Sequence, residues 1–398
     1  MTETAAGAPT AASSAMRDPN TDQLVERIVE ASRRAGPVTF MEVCGTHTVA
    51  LFRSGVRSLL PESVRLISGP GCPVCVTSQG YIDAACELAS RAGVTICTYG
   101  DMLRVPGRSG SLEQQRACGA EVVVVYSARD AVRFAERHAD RKVVFLAVGF
   151  ETTAPGTAAA VVEAQEKGLE NVFFLCGHKL VVPAMMTLLS HGDVPLDGFL
   201  CPGHVSVITG ARAYEPIVKT YRKPCVVAGF EPEQLLLGIC HLTEQVAEGR
   251  AELENVYGVA VSDGGNATAR RWLEEVFRPA AAIWRAMGTI GESGLELAGP
   301  YRRFDALDRF ELSIGPDYDP PGCRCGDVIQ GKAEPEECVH FGVGCTPAEP
   351  IGPCMVSSEG TCAAWHRYGR GGVPGGRHSG EVSDGASSAT AAGGSMGS

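Results

Sequence analysis

Between Val38 and about Gln245, short runs of apolar and β-branched residues alternate with longer amphipathic stretches. Strands separated by helix-length spacers are typical of parallel sheets with crossover helices, so the pattern predicts an α/β fold. The predicted strands are VTFMEV, VRLIS, VTICTY, EVVVVYS, KVVFLAVGF, NVFFLCG, DGFLC and PCVVAGF. The predicted helices are Gln79–Ala92, Ala128–His138, Thr157–Lys167, Val182–Ser190 and Pro232–Glu248. Most strands end in Gly or Cys-Gly, at the sheet edge where α/β folds bind ligands.

A repeated spacing divides this region into two halves. Gly71 follows Cys44 by 27 residues, and Gly203 follows Cys176 by 27 residues. In both halves a strand ending in Cys-Gly is followed by a strand ending in Pro-Gly and then by another strand ending in Gly. We therefore predict two related parallel-sheet α/β domains, residues 21–130 and 131–255, which face each other across a cleft.

The remaining segments differ in composition from these halves. Residues 256–370 are predicted to form a helical and cysteine-rich domain, with its helical part over Asn266–Met287. Residues 1–20 and 371–398 are rich in Ala, Ser, Thr and Gly, so they lack the apolar side chains that a core needs. We expect both termini to be disordered.

Charge and composition narrow the class of protein. The chain has 35 Lys and Arg against 46 Asp and Glu, and a net charge of −11 argues against a nucleic-acid partner. Neither a secretory signal nor a run of about 18 apolar residues is present, which argues against export and against a membrane span. Sixteen of 398 residues are cysteine, too few for a disulfide scaffold. A cytoplasmic protein with metal-binding or redox cysteines is expected.

A cysteine cluster lies near the C-terminus. It consists of Cys323, Cys325, Cys338, Cys345, Cys354 and Cys362. A structural zinc site favours two close C-x2-C pairs, whereas these spacings are long and irregular. An iron–sulfur cluster, whose four corners take thiolates from separate loops, fits better; zinc and structural free thiols are the alternatives. Cys338, Cys345 and Cys362 are predicted ligands, the fourth is either Cys323 or Cys325, and Cys354 is the spare.

A C-x-x-C sequence, Cys72-Pro-Val-Cys75, follows the predicted strand VRLIS. Near a helix start, the helix dipole and local amides lower a thiol pKa, which suits a dithiol–disulfide couple. The alternative is half of a zinc site, but the chain has no second C-x-x-C. We interpret Cys72 and Cys75 as a redox pair.

A further thiol and an imidazole, Cys44 and His47, lie three residues apart after the predicted strand VTFMEV. They could be a nucleophile and its base, two ligands of a metal, or a buried thiol beside a surface histidine. Polar residues follow other strands at equivalent places, and among them Glu151 and His204 are candidate catalytic residues. If the two halves face each other, these groups converge on one cleft. No glycine-rich phosphate-binding motif is present, so nucleotide binding has no direct support.

Taken together, several motifs resemble the HypD family of hydrogenase maturation proteins from about Val38 to Tyr368. They are MEVCGTHT, GPGCPVCVT, VGFETTAP, CPGHVSVITG, CVVAGFEP, GCRCGDVIQG and MVSSEGTCAAW, in that order along the chain. The resemblance implies a scaffold, rather than a conventional turnover enzyme, for assembly of the Fe(CN)2CO centre of nickel–iron hydrogenases. It implies as partners a HypC-type chaperone, a HypE-type cyanide donor and, indirectly, the precursor of the hydrogenase large subunit.

The resemblance also implies roles for the cysteines. Cys44 would be an iron ligand shared with the chaperone, with His47 beside it, and Cys72 and Cys75 would supply electrons. A 4Fe-4S cluster would be bound in the C-terminal domain. Two functions of other classes remain open on the residues alone: an iron–sulfur thiol-disulfide oxidoreductase, which gives Cys44 and His47 no role, and a zinc-stabilised binding module without redox activity.

Overall fold

The computed structural model describes residues 19–369. Residues 1–18 and 370–398, which contain nearly all of the two termini predicted to be disordered, lie outside the described residues. Within the described residues, no helix is long and apolar enough to cross a membrane.

The strands that the sequence predicts are present, each within three residues of its predicted ends. They are β1 Val38–Glu42, β2 Val64–Ser68, β3 Val94–Thr98, β4 Glu121–Val124, β5 Lys142–Gly149, β6 Val172–His178, β7 Gly198–Pro202 and β8 Cys225–Ala228. Three strands were not predicted, and they are β9 Leu253–Asn255, β10 Phe277–Trp284 and β11 Gly288–Leu297.

The helices follow the strands as crossover and terminal elements. They are α1 Pro19–Ala35, α2 Gly45–Arg53, α3 Pro73–Val76, α4 Gln79–Ser90, α5 Leu112–Ala117, α6 Ala128–Arg137, α7 Ala154–Glu166, α8 Val181–His191, α9 Gly203–Thr209, α10 Glu215–Tyr221, α11 Pro232–Ala247, α12 Ala267–Val276, α13 Ala306–Phe310, α14 Cys325–Ile329, α15 Pro353–Val356 and α16 Thr361–Tyr368.

Two parallel sheets form the body of the molecule, which confirms the predicted fold class. The first has the strand order β2-β1-β7-β8-β9 and the second has the order β4-β3-β5-β6. Both are covered by helices, and the central strands β1, β7 and β8 of the first sheet and β3 and β5 of the second are buried almost throughout, as parallel sheets require.

The two sheets do not follow the predicted domain boundary between residues 130 and 131. β3 and β4 share the second sheet with β5 and β6, while β1 pairs with β7, where Phe40 lies opposite Gly198. Each half of the sequence therefore contributes strands to both sheets. A local pattern of apolar residues defines a strand, but its neighbour in the sheet is chosen by burial against distant segments.

The segment after residue 256 is not one helical domain. The predicted helical stretch Asn266–Met287 is a helix only over α12, and then continues as β10, which pairs antiparallel with β11. The two aromatic residues at the ends of β10 pack against the second sheet, Phe277 on His178 of β6 and Trp284 on Phe150 after β5, and Trp284 is fully buried. The cysteine-rich segment packs elsewhere, with α16 against α2 and α15 against α3 of the first sheet.

Candidate functional site

Cys44 and Cys72 lie at the ends of neighbouring strands, β1 and β2. Each is the N-cap residue of the helix that follows, α2 for Cys44 and α3 for Cys72. Gly71 holds the two chain segments together, because the Gly45 amide donates to its carbonyl at 3.0 Å. A Cβ atom on Gly71 would lie 2.2 Å from the Cys44 nitrogen, so only glycine allows this approach.

The Cys44 thiol is free, and only 8% of the residue is exposed. Burial raises its pKa to about 11, although the amides of Thr46 and His47 at the start of α2 donate hydrogen bonds that favour the thiolate. The helix start therefore does not produce a reactive free thiolate at neutral pH. A metal that binds Cys44 has to displace the thiol proton. The thiolate that remains accepts hydrogen bonds from the two backbone amides and is then a good ligand.

Cys44 lines a cavity of about 310 Å³ between the two sheets. Residues after β3 and β5 of the second sheet form the opposite wall, among them Tyr99, Thr152 and Thr153. His204, which follows β7, lines the same cavity. The carboxyl ends of strands from both sheets thus meet at Cys44, and the cavity volume suits a small ligand.

His47 does not face Cys44 as a base. It is fully buried, and its Nε2 lies 3.2 Å from the Ala228 carbonyl and 3.0 Å from the Gly229 carbonyl, so Nε2 carries the proton. Burial lowers the pKa of His47 to about 4, which keeps the ring neutral. Its Nδ1 has no hydrogen-bond partner within the described residues. The ring therefore fixes the start of α2 against the end of β8.

Phe230 connects the two histidines of this site. Its ring centroid lies 4.9 Å from that of His47 and 4.0 Å from that of His204, with which it stacks. The predicted convergence of His47 and His204 on one region is therefore present, with an aromatic ring between them.

Cys72 and Cys75 form a disulfide across the first turn of α3. Cys75 is fully buried, and its Sγ lies 4.0 Å from the carbonyl oxygen of Pro353, the residue before Cys354. The pair therefore contacts the cysteine-rich segment on one side, while Pro73 and Val74 between the two cysteines line the Cys44 cavity.

The sequence reasoning missed Glu359, which enters the site from the loop between α15 and α16. Its Oε1 accepts a hydrogen bond from Thr46 Oγ1 at 2.8 Å, and it lines the Cys44 cavity. Its backbone lies so close to α2 that a Cβ atom on Gly45 would be 2.4 Å from the Glu359 carbonyl oxygen. The motif MVSSEGTCAAW contained this residue, but nothing local linked it to Cys44, more than 300 residues earlier.

The six cysteines of the C-terminal segment lie close to one another. The Cys325 thiol lies close enough to interact with the thiols of Cys323 and Cys354, and Cys354 interacts in turn with Cys362. Cys325 and Cys354 are buried, whereas Cys323, Cys338 and Cys362 are partly exposed. The spare cysteine of the sequence prediction, Cys354, is therefore placed in direct contact with one of the predicted ligands.

Across residues 19–369, no group of three or more His, Cys, Asp or Glu side chains converges to hold a single metal ion. A 4Fe-4S cluster has a different requirement, because its corners take thiolates from separate positions. Two features of the segment fit such a group: the Ile351 amide donates to Cys345 Sγ at 3.3 Å, and Gly352 leaves room beside Cys323. A Cβ atom on Gly352 would lie 2.8 Å from the Cys323 sulfur.

Glu151 is not brought into the Cys44 cavity. It lines a separate groove with Leu180 and Phe277, although the next two residues line the cavity. Its Oε1 accepts a hydrogen bond from the Val181 amide at 3.0 Å, and burial raises its pKa to about 7. The chain turns sharply after β5, so the side chains of Glu151 and of the next two residues point to different sides.

The polar residues after β6 also lie outside the Cys44 cavity. His178 and Lys179 are buried and line a different cavity, which the hairpin of β10 and β11 covers. Lys179 Nζ donates to the Ile283 carbonyl at 2.8 Å, and burial lowers its pKa to about 8. Lys179 therefore holds the hairpin against the second sheet, whereas His178 Nε2 lies 2.9 Å from Thr157 Oγ1 of α7.

Known proteins resemble this chain over almost its whole described length. A hydrogenase maturation factor HypD from Cupriavidus necator is 46% identical over 364 residues, which cover 89% of this chain and 96% of that protein. The factor of the same name from Escherichia coli is 44% identical over 352 residues, 87% of this chain and 94% of that protein. A third, from Azotobacter vinelandii, is 45% identical over 355 residues, with coverage of 87% and 94%.

The family model HypD, described as "Hydrogenase formation hypA family", matches residues 20–369. This range contains both sheets, the Cys44 cavity, the disulfide and the cysteine-rich segment. Together with the identities above, it confirms the resemblance found in the motifs. The chain belongs to the HypD family and is a hydrogenase maturation factor.

Proposed function

We propose that this chain is the scaffold on which the Fe(CN)2CO centre of nickel–iron hydrogenases is assembled. Iron is the cargo, held by Cys44 together with a thiolate of a HypC-type chaperone, and a HypE-type donor supplies the cyanide. The finished centre passes to the precursor of the hydrogenase large subunit. The observation that carries the proposal is the free Cys44 thiol in a cavity beside the Cys72–Cys75 disulfide.

Iron that carries cyanide and carbon monoxide is low-spin and soft, so a thiolate is its suitable ligand. The wall of the cavity is mostly apolar, with Val43, Val148 and Phe150 among its residues, and it excludes water from bound diatomic ligands. Glu359 and Thr46 provide the polar groups beside Cys44. His47 is held by two carbonyls, so its role is to position α2 rather than to transfer protons.

The cysteine pair supplies the electrons that cyanide release requires. If cyanide arrives as a thiocyanate on a donor cysteine, cleavage of the sulfur–carbon bond takes two electrons. Reduced Cys72 and Cys75 provide them: the two thiols become the disulfide, the donor regains its thiol, and hydrogen cyanide leaves. The disulfide in this structure corresponds to the product of that step.

Renewal of the dithiol requires electrons from the cysteine-rich segment. Cys325 and Cys354 contact each other, and α14 and α15, which carry them, both pack against α3. We place these two as the thiols that exchange with the disulfide, and Cys323, Cys338, Cys345 and Cys362 as the ligands of a 4Fe-4S cluster. When bound, such a cluster supplies electrons one at a time.

The test is infrared and Mössbauer spectroscopy on the chain co-purified without oxygen with its chaperone. The wild-type complex should show bands of iron-bound cyanide and carbon monoxide, and Cys44→Ala should abolish them while retaining about four cluster irons. Cys97→Ala, which removes a buried thiol of the second sheet, is the control and should keep both signals.

Two results would contradict the proposal. Unchanged bands in Cys44→Ala would remove the iron site, and would favour an oxidoreductase that needs only the cysteine pair. Stoichiometric zinc in place of iron would contradict the cluster and would favour a zinc-stabilised binding module.

A further inference from the structure

The groove that contains Glu151 is separate from the Cys44 cavity and has no part in the chemistry proposed above. It encloses about 620 Å³ between α9, α12 and the start of the β10–β11 hairpin. This volume lies within the range of small-molecule sites in proteins. The walls are mostly apolar, and their apolar residues include Leu180, Ile208, Leu273, Phe277, Pro279 and Leu295. The charged residues Arg212, Asp263, Arg270 and Glu274 also line the groove.

One buried carboxyl group, that of Glu151, lines the groove together with these apolar residues. Glu151 is only 5% exposed, and its Oε1 accepts from the Val181 amide at the start of α8. Leu180, the N-cap residue of α8, has no side-chain oxygen, so Glu151 supplies the missing cap. That contact accounts for one carboxyl oxygen. The other, Oε2, is buried and has no hydrogen-bond partner within the described residues.

A buried carboxyl oxygen without a partner is costly unless a donor reaches it. The two arginines of the groove do not serve, because both are largely exposed and occupied by other acids. Arg212 lies 3.5 Å from Glu215, and Arg270 lies 3.7 Å from Glu274. Among residues 19–369, this carboxyl oxygen therefore remains an acceptor without a cation to pair with it.

We propose that this groove binds a small organic amine: the apolar walls take its hydrocarbon body, and Glu151 Oε2 accepts a hydrogen bond from its ammonium group. Burial raises the pKa of Glu151 to about 7, so its carboxylate form predominates above pH 7. A neutral molecule of the same shape lacks the charge that this carboxylate selects, and a carboxylate ligand is repelled. Charge-assisted hydrogen bonds are about twice as strong as neutral ones, so the amine is the preferred occupant.

The experiment uses the full chain and three fluorinated probes of one size, 4-fluorobenzylamine, 4-fluorobenzyl alcohol and 4-fluorobenzoate, titrated with fluorine NMR. We expect the amine to bind wild type most tightly, and Glu151→Gln to weaken it at least about tenfold. Glutamine keeps an oxygen for the Val181 amide, so the cap of α8 is retained. Glu113→Gln removes an exposed acid of α5, outside the groove, and is the control, with unchanged binding.

A second variant covers the case in which Glu151→Gln does not fold. Leu273→Trp narrows the groove from its wall without touching the carboxyl, and it should weaken all three probes. Equal affinity for the three probes, amine binding that survives both variants, or no amine binding to wild type would each overturn the proposal. The readout is binding, so it is independent of iron and of hydrogenase maturation.

Discussion

Two neighbouring strand ends in the first sheet carry a cysteine in the same local setting and use it differently. Cys44 after β1 and Cys72 after β2 are both N-cap residues of the following helix, and both are largely buried. Cys72 has a second cysteine one turn away and forms a disulfide, whereas Cys44 has none and faces a cavity with Glu359. The residues around each thiol, rather than the strand–helix junction, therefore decide whether it forms a disulfide or stays free.

The largest expected effect is the loss of the disulfide in Cys75→Ser. After denaturation and iron chelation without oxygen, wild type has 14 free thiols, because 16 cysteines include one disulfide pair. Reduction should add two thiols to wild type and none to Cys75→Ser, as counted with a chromogenic disulfide reagent. Cys86→Ser, which removes a cysteine of α4, is the control and should still gain two. A gain of two in Cys75→Ser would mean that the disulfide joins other cysteines.

Gly71→Ala should damage both strand ends at once. The added Cβ would lie 2.2 Å from the Cys44 nitrogen, and backbone cannot move aside cheaply, so we expect a loss of about 3 kcal/mol in the free energy of unfolding. Gly156→Ala is the matched control, because a Cβ atom there meets nothing within 4 Å and lies in α7, where alanine favours the helix. Equal urea midpoints for the two variants would contradict the close approach of β1 and β2.

The ring of His47 fixes the start of α2 next to Cys44, and the pH dependence of stability tests this role. Its pKa falls from 6.5 to about 4 on folding, so the unfolded chain takes up a proton first on acidification, and the contribution of His47 to stability is lost between pH 6.5 and 4. His47→Gln has no imidazole to take up this proton, so the variant does not lose stability in this way. The stability difference between wild type and variant should shrink by about 2 kcal/mol from pH 7 to pH 5, measured by urea unfolding. A difference that is constant with pH would show that the ring is not held neutral.

Glu359→Gln should give the smallest effect and act only on Cys44. The negative charge of Glu359 adds to burial in raising the pKa of the Cys44 thiol, so its removal favours the thiolate. We expect roughly a threefold faster alkylation of Cys44 at pH 8, followed by mass spectrometry of the labelled peptide. The exposed Cys118 on the same chain is the internal control and should react at an unchanged rate. Slower alkylation of Cys44 would reverse the sign assigned to Glu359.

Local sequence determined the elements and the motifs at their ends. Periods of apolar residues defined β1 to β8 and the helices α4, α6, α7, α8 and α11, and the spacing of Cys72 and Cys75 indicated a redox pair, which forms a disulfide in the structure. These features depend on residues within one turn or one strand, where backbone geometry relates spacing to position. The exceptions were β9 and the β10–β11 hairpin, whose first strand replaces part of the helix predicted over Asn266–Met287.

Only the tertiary structure decided which elements are neighbours. It placed β7 beside β1 although about 160 residues separate them, brought Glu359 to Cys44, and turned Glu151 away into another groove. It also showed that Cys354, which the spacing alone had left as a spare cysteine, contacts Cys325. These arrangements depend on which apolar surfaces bury each other over the whole chain. The total buried area comes from contacts between distant segments, so a window of ten or twenty residues cannot predict it.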